Sequence, residues 1–291
     1  MYDVSQGGMW PSAVAASLRT AAARDRLMGS TLALGSTPLS GLDLTHLMPG
    51  AGLARHEAFR LAQSGLLERL ADEVRDLDPE NWRGERLGRT AMLKVMEEGI
   101  PLVWTPPADV IRALLDEPDS AARRKVLEKH AGRVVDHCRT VLEDIEREDV
   151  SAQVGYLNSC LDLLESGPHE PAQALAASVW DTVLRAMVRA DPVLQNKWGG
   201  FSYGAVTSSM PKATRETTLG QFRAYCIHTC VHAACAEYYG PPVPGHYSRH
   251  ATSHATGPTQ YTLANALTAV MLAVALLREL EETRRPITQA E

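Results

Sequence analysis

The sequence predicts an all-α protein. Ala, Leu, Arg and Glu dominate the 291 residues, and runs of Val and Ile of strand type are scarce. Apolar residues recur at the three- and four-residue steps of a helix through most of the chain. Pro and Gly fall between these periodic segments, where they end one helix and open the next. At 45% hydrophobic the chain can bury a sizeable core, although only 5% of it is aromatic.

In chain order, 1–50 is rich in Gly, Ser, Ala and Thr, with Pro38 and Pro49. It predicts one short helix over 13–28 and otherwise connection. Phe59, Ala62, Leu66, Leu70 and Val74 mark a stronger helix over 51–77, ended by Asp78-Pro79. A helix over 90–98 stops at Gly99. The stretch 101–107 (PLVWTPP) reads as extended, either a buried connection or one short strand. A helix then covers 108–115. Residues 120–146 form one long amphipathic helix, or two broken near Gly132, with Val126, Leu127, Val134, Val135, Cys138, Val141, Leu142 and Ile145 inward. His130 and His137 lie seven apart, which suits a half-buried face better than a ligand pair.

From Ser151 a four-helix pattern follows. Its helices are 151–166, closed by Gly167-Pro168; 170–189, with Leu175, Val179, Val183, Leu184 and Met187 inward; 211–239, stopped by Gly240-Pro241-Pro242; and 259–282, the most apolar in the chain. Short connections between such helices favour an up-and-down bundle. The expected division is therefore 1–150, an N-terminal helical domain, and 151–291, a four-helix bundle.

The net charge of −6 argues against a generally basic nucleic-acid binder. The distribution is uneven, however. Between 197 and 258, Lys197, Lys212, Arg215, Arg223 and Arg249 outnumber Glu216 and Glu237, and His228, His232, His246, His250 and His254 crowd the same stretch. No charged segment followed by an apolar one opens the sequence, so no signal peptide is expected. The apolar run 263–277 contains Asn265 and Thr268, is shorter than a membrane span, and reads as a buried helix. Five cysteines without a disulfide-scaffold pattern suit a reducing cytoplasm.

Three constellations could carry chemistry. His228 and His232, one helical turn apart beside Cys226, Cys230 and Cys235, could chelate zinc. No zincin glutamate or second Cys pair accompanies them, and core histidines with buried thiols are the preferred reading, so no metal or other cofactor is expected. The loop Trp198 to Gly204 could stack bases, but lacks the spacing of a phosphate loop. The third is Arg249 with His254, four residues between them. A histidine can move the proton of an RNA 2′-hydroxyl, and an arginine can hold the phosphate. If this segment is helical, His250 and His254 share a face.

Ser248-Arg249-His250 and His254, followed by Tyr261 and Asn265 in an apolar terminal helix, resemble the C-terminal signature of the HEPN superfamily. These are small all-α domains, several of them RNases of toxin–antitoxin and antiviral systems, that share an Arg followed a few residues later by His. Ser248 and Ala255 stand where Asn and Gly are expected. The resemblance covers 151–285 and implies a HEPN-like bundle acting as a metal-independent endoribonuclease. Arg249 would clamp the phosphate and His254 would be the acid/base, supported by His250, Tyr247 and His246, with Arg223 and Lys212 binding substrate. It also implies a cleft shared in a homodimer, RNA as substrate, and an antitoxin or other regulatory protein as partner. No membrane is expected as a partner. The competing expectation is a non-catalytic module of the same fold that binds a nucleotide, RNA or protein, or dimerises.

Overall fold

The computed structural model describes residues 78–284. The expected helices over 13–28 and 51–77 lie outside the described residues. The described part is all-helical, with α1 (Arg89–Glu97), α2 (Ala108–Asp116), α3 (Ser120–Lys129), α4 (Ala131–Glu143), α5 (Ser151–Ser166), α6 (His169–Ala190), α7 (Tyr203–Ser209), α8 (Leu219–Ala234), α9 (Arg249–His254) and α10 (Leu263–Arg284).

The last helix organises the rest. From Ala266 to Leu277 every α10 residue is buried. It packs against α6, α4, α3, α8 and α5. Such a helix is apolar all round because it has neighbours all round. Residues Leu263–Thr283 have the length and hydropathy of a membrane span, yet 94% of their most apolar 18-residue stretch is buried inside the protein. At ~1.5–3 kcal/mol per fully buried large aliphatic side chain, α10 contributes more apolar burial than any shorter helix here could.

Four helices close a ring: α4 on α5, α5 on α6, α6 on α10 and α10 on α4. The bundle therefore takes in 131–143, and helices on both sides of residue 150 share one core. Arg147 donates to the Leu280 carbonyl at 3.0 Å across that point. α8 lies outside the ring, against α10 and α1.

Local chemistry explains the boundaries. Gly99 takes φ +89° and donates to the Met96 carbonyl, closing α1. A β-carbon there would also meet Ala233 Cβ at 3.2 Å, so only glycine serves both the turn and the α1–α8 contact. Of the two alternatives for 120–146 the structure has two helices, broken at His130, two residues before Gly132, and Asp119 caps the first by accepting from the Ala122 N–H at 2.9 Å. The stretch 101–106 is a buried connection, not a strand. Two of its carbonyls are satisfied by side chains from 81–82. Asn81 donates to Leu102 O and Pro106 O, and the Trp82 indole donates to Leu102 O at 2.6 Å.

The helix expected over 211–239 is corrected. It runs only Leu219–Ala234, and a separate α7 precedes it. The Thr217 hydroxyl accepts the Thr214 N–H at 2.8 Å, a local turn that competes with helix. Ala213 N–H donates to Tyr225 O and Thr229 Oγ1, folding 210–213 back along α8.

Candidate active site

The segment 246–262 is held over the bundle by buried amides. Gln260 Oε1 accepts the Ser248 N–H at 3.0 Å, and its Nε2 donates to Pro244 O and His246 O. Gln173 on α6 donates to Thr252 Oγ1 at 2.9 Å and to Gln260 O at 3.1 Å. Asn265 donates to Gln260 O at 2.8 Å. Ser248 then caps α9 by accepting the Ala251 N–H. Replacing Gln260 by alanine leaves several buried groups without partners. The expected loss is ~1–3 kcal/mol in a urea titration, and a wild-type midpoint would contradict this role.

With α9 helical, His250 and His254 share a face, their rings edge-to-face at 4.7 Å. His250 Nδ1 accepts the Tyr238 backbone N–H at 2.9 Å. That contact puts the proton of the neutral ring on Nε2. His254 is exposed. Arg249, His250 and His254 line one open pocket of about 180 Å³ with Tyr203, Cys235 and Glu237.

Arg249 is not alone. Its Nη2 donates to Asp181 Oδ2 at 3.2 Å, and the guanidinium lies 5.5 Å from the Tyr203 ring centroid. Asp181, buried on α6, also accepts from Arg185 Nε at 2.9 Å and from the Tyr203 hydroxyl. Burial, then the Asp181 hydrogen bond, pushes the Tyr203 hydroxyl pKa up, so it remains a donor. Burial likewise pushes the Cys235 thiol up to about 12, which leaves it un-ionised at neutral pH.

The other expected site residues are spread out. Lys212 is exposed in the cavity adjoining this pocket. Arg223 is buried on α8, bidentate to Glu279 at 2.8 and 3.2 Å, and sits 5.0 Å over Trp104. Tyr247 is in the core, where its hydroxyl accepts the Trp180 indole N–H. His246 lines a separate small cavity with Glu98, Arg124 and Asn265, and burial lowers its pKa. Of the locally basic stretch, Arg223 and Arg249 have carboxylate partners, whereas Lys197, Lys212 and Arg215 are exposed.

His228 and His232 anchor backbone. His228 Nδ1 donates to Pro211 O at 3.2 Å and His232 Nε2 to Met210 O at 2.8 Å. Burial lowers the His228 pKa to about 4. An unfolded histidine takes up its proton near pH 6.5, whereas the folded one resists to about 4. Stability present above pH 6.5 is thus lost as pH falls through that window, by ~3 kcal/mol for this residue. Burial shifts His137, His232 and His246 the same way. The urea midpoint should fall between pH 7 and pH 4.5, and an unchanged midpoint would contradict the buried neutral ring.

The Trp198 loop closes through Asn196, whose Oδ1 accepts from Trp198 N and Gly200 N, and leaves Trp198 83% exposed.

Sequence reasoning missed Asp181, and had Tyr203 only as part of the Trp198–Gly204 loop, not beside Arg249. The available signal was an acid within the apolar stripe Val179, Trp180, Val183 and Leu184. Comparisons with protein-family models, with curated proteins and with solved structures found no match.

Proposed function

We propose that the protein is a metal-independent endoribonuclease whose site is the pocket of Arg249, His250 and His254, as the HEPN resemblance of this segment suggests. The supporting observation is the convergence of these three side chains on one solvent-open pocket. In this reading His254 takes the proton of the 2′-hydroxyl as its oxygen attacks phosphorus. The 5′-oxygen leaves and takes up a proton, and a 2′,3′-cyclic phosphate remains. Arg249, oriented by Asp181, binds the non-bridging oxygens. His250 adds its Nε2–H as a donor where charge develops. None of these steps calls on a metal ion.

The toxin or phage-defence setting, the cytoplasm, an antitoxin or regulatory partner and a homodimer joined through the helical bundle complete the proposal. Two-fold pairing would bring two such pockets into one cleft. Light scattering should give twice 31.7 kDa. A monomer would remove the shared cleft.

One observation favours a second reading, a non-catalytic module that binds a nucleotide, RNA or protein. Arg249 already has a carboxylate partner, and Glu237 adds another acid to the pocket, so its charge is near balance. An assay separates the two. The wild-type chain should cut RNA in EDTA and Arg249→Ala should not. RNA left intact by wild type favours the binding module.

A further inference from the structure

Beside the Arg249 pocket lies a larger cavity of about 400 Å³. The two share Tyr203, Cys235 and Glu237, so they form one groove with two compartments. The size is that of a small-molecule site.

The hydrogen-bonding character of the second compartment can be worked out atom by atom. Glu97 and Glu237 line it, and both are exposed to the groove's solvent. As carboxylates they only accept, and Glu237 Oε2 already accepts the Tyr239 hydroxyl, which leaves Oε1 and a second lone pair for a ligand. Thr207 uses its hydroxyl hydrogen on the Tyr203 carbonyl at 3.0 Å, which leaves its oxygen lone pairs as acceptors. His232 must donate from Nε2, because its partner is the Met210 carbonyl. Burial lowers its pKa, and the neutral ring then offers Nδ1 as an acceptor. Lys212 is the cationic donor in this lining. The wall is thus rich in acceptors with one strong donor.

RNA bases differ in the edge they would present to such a wall. Guanine carries adjacent N1–H and N2–H₂ donors, which one carboxylate can accept together, and an O6 acceptor beside them for an ammonium. Adenine and cytosine offer one amino group next to ring acceptors. Uracil offers a single N–H between two carbonyls. Single-stranded RNA is commonly read through this Watson–Crick edge, with the base splayed out of its stack.

We propose that this compartment is a guanine subsite, with Glu237 or Glu97 accepting from N1–H and N2–H₂ and Lys212 donating to O6. Its link to catalysis rests on the reading of the neighbouring pocket as a phosphodiester site. It would hold the base next to the phosphate bound by Arg249 and so give the enzyme a preference for cutting beside guanosine.

The test needs no turnover. Wild-type chain is titrated calorimetrically with 3′-GMP, 3′-AMP, 3′-CMP and 3′-UMP. A good bidentate pair discriminates by ~1–3 kcal/mol, so 3′-GMP should bind roughly 5- to 150-fold more tightly than the others. Glu237→Gln and Glu97→Gln, each checked for helix content by circular dichroism, replace an accepting oxygen by a donor. At least one should bring 3′-GMP down to the level of 3′-AMP. Equal affinity for all four nucleotides, absence of binding, or a guanine preference that survives both substitutions together would overturn the subsite. Guanine-selective binding without RNA cleavage supports the subsite and refutes the nuclease. Cleavage indifferent to sequence does the reverse.

Discussion

Replacing His254 by alanine is expected to lower RNA cleavage by roughly 10²–10⁴, the loss for a positioned proton-transfer group. The fold should not notice. The side chain is exposed at the end of α9, and changes at such surface positions cost under about 0.5 kcal/mol. Arg249→Ala should cost a similar factor in rate, and the double variant little more, because both groups serve one transition state. Initial rates on a defined RNA in EDTA, beside thermal unfolding of each variant, check this. Full activity in His254→Ala would mean that the proton is moved elsewhere.

Asp181→Ala should act on stability and activity together. The carboxylate, buried on α6, accepts from Tyr203, Arg185 and Arg249. Removing one partner of a buried ion pair costs about 3 kcal/mol at the low end of its range, and the low end applies because Arg185 and Arg249 reach solvent. Arg249 then loses the group that aims it, so cleavage should fall with it. Asp181→Asn keeps the shape and one acceptor oxygen and should recover part of the stability. A wild-type denaturation midpoint in Asp181→Ala would remove Asp181 from the account.

The main bundle helices were legible in the sequence. α5, α6 and α10 fall within a few residues of the expected spans because repeating apolar positions and flanking Gly and Pro define them locally. The 211–239 span was not legible, because a Thr-based turn and Ala213 pairing with α8 decide it, and neither leaves a periodic trace. Placement of the site was partly legible. The shared face of His250 and His254 follows from helix geometry once α9 is helical. The Asp181–Arg249 pair joins residues 68 apart in sequence, and no local pattern announces it. Arg223 and Tyr247 mislead for the same reason. An arginine beside a histidine-rich stretch and a tyrosine next to Arg249 look available until Glu279 and Trp180 are seen to engage them.

The metal-independent 2′-hydroxyl attack is the centre of the account, and the chemistry of the cut ends tests it most directly. A synthetic RNA containing guanosines is incubated with wild-type chain in EDTA, beside a copy in which every ribose is 2′-deoxy, and the products are weighed by mass spectrometry. The account predicts 2′,3′-cyclic phosphate, or the monophosphate formed from it, opposite 5′-hydroxyl ends, with the deoxy copy untouched. Fragments with 5′-phosphate and 3′-hydroxyl ends, cleavage of the deoxy copy, or an intact RNA would contradict it.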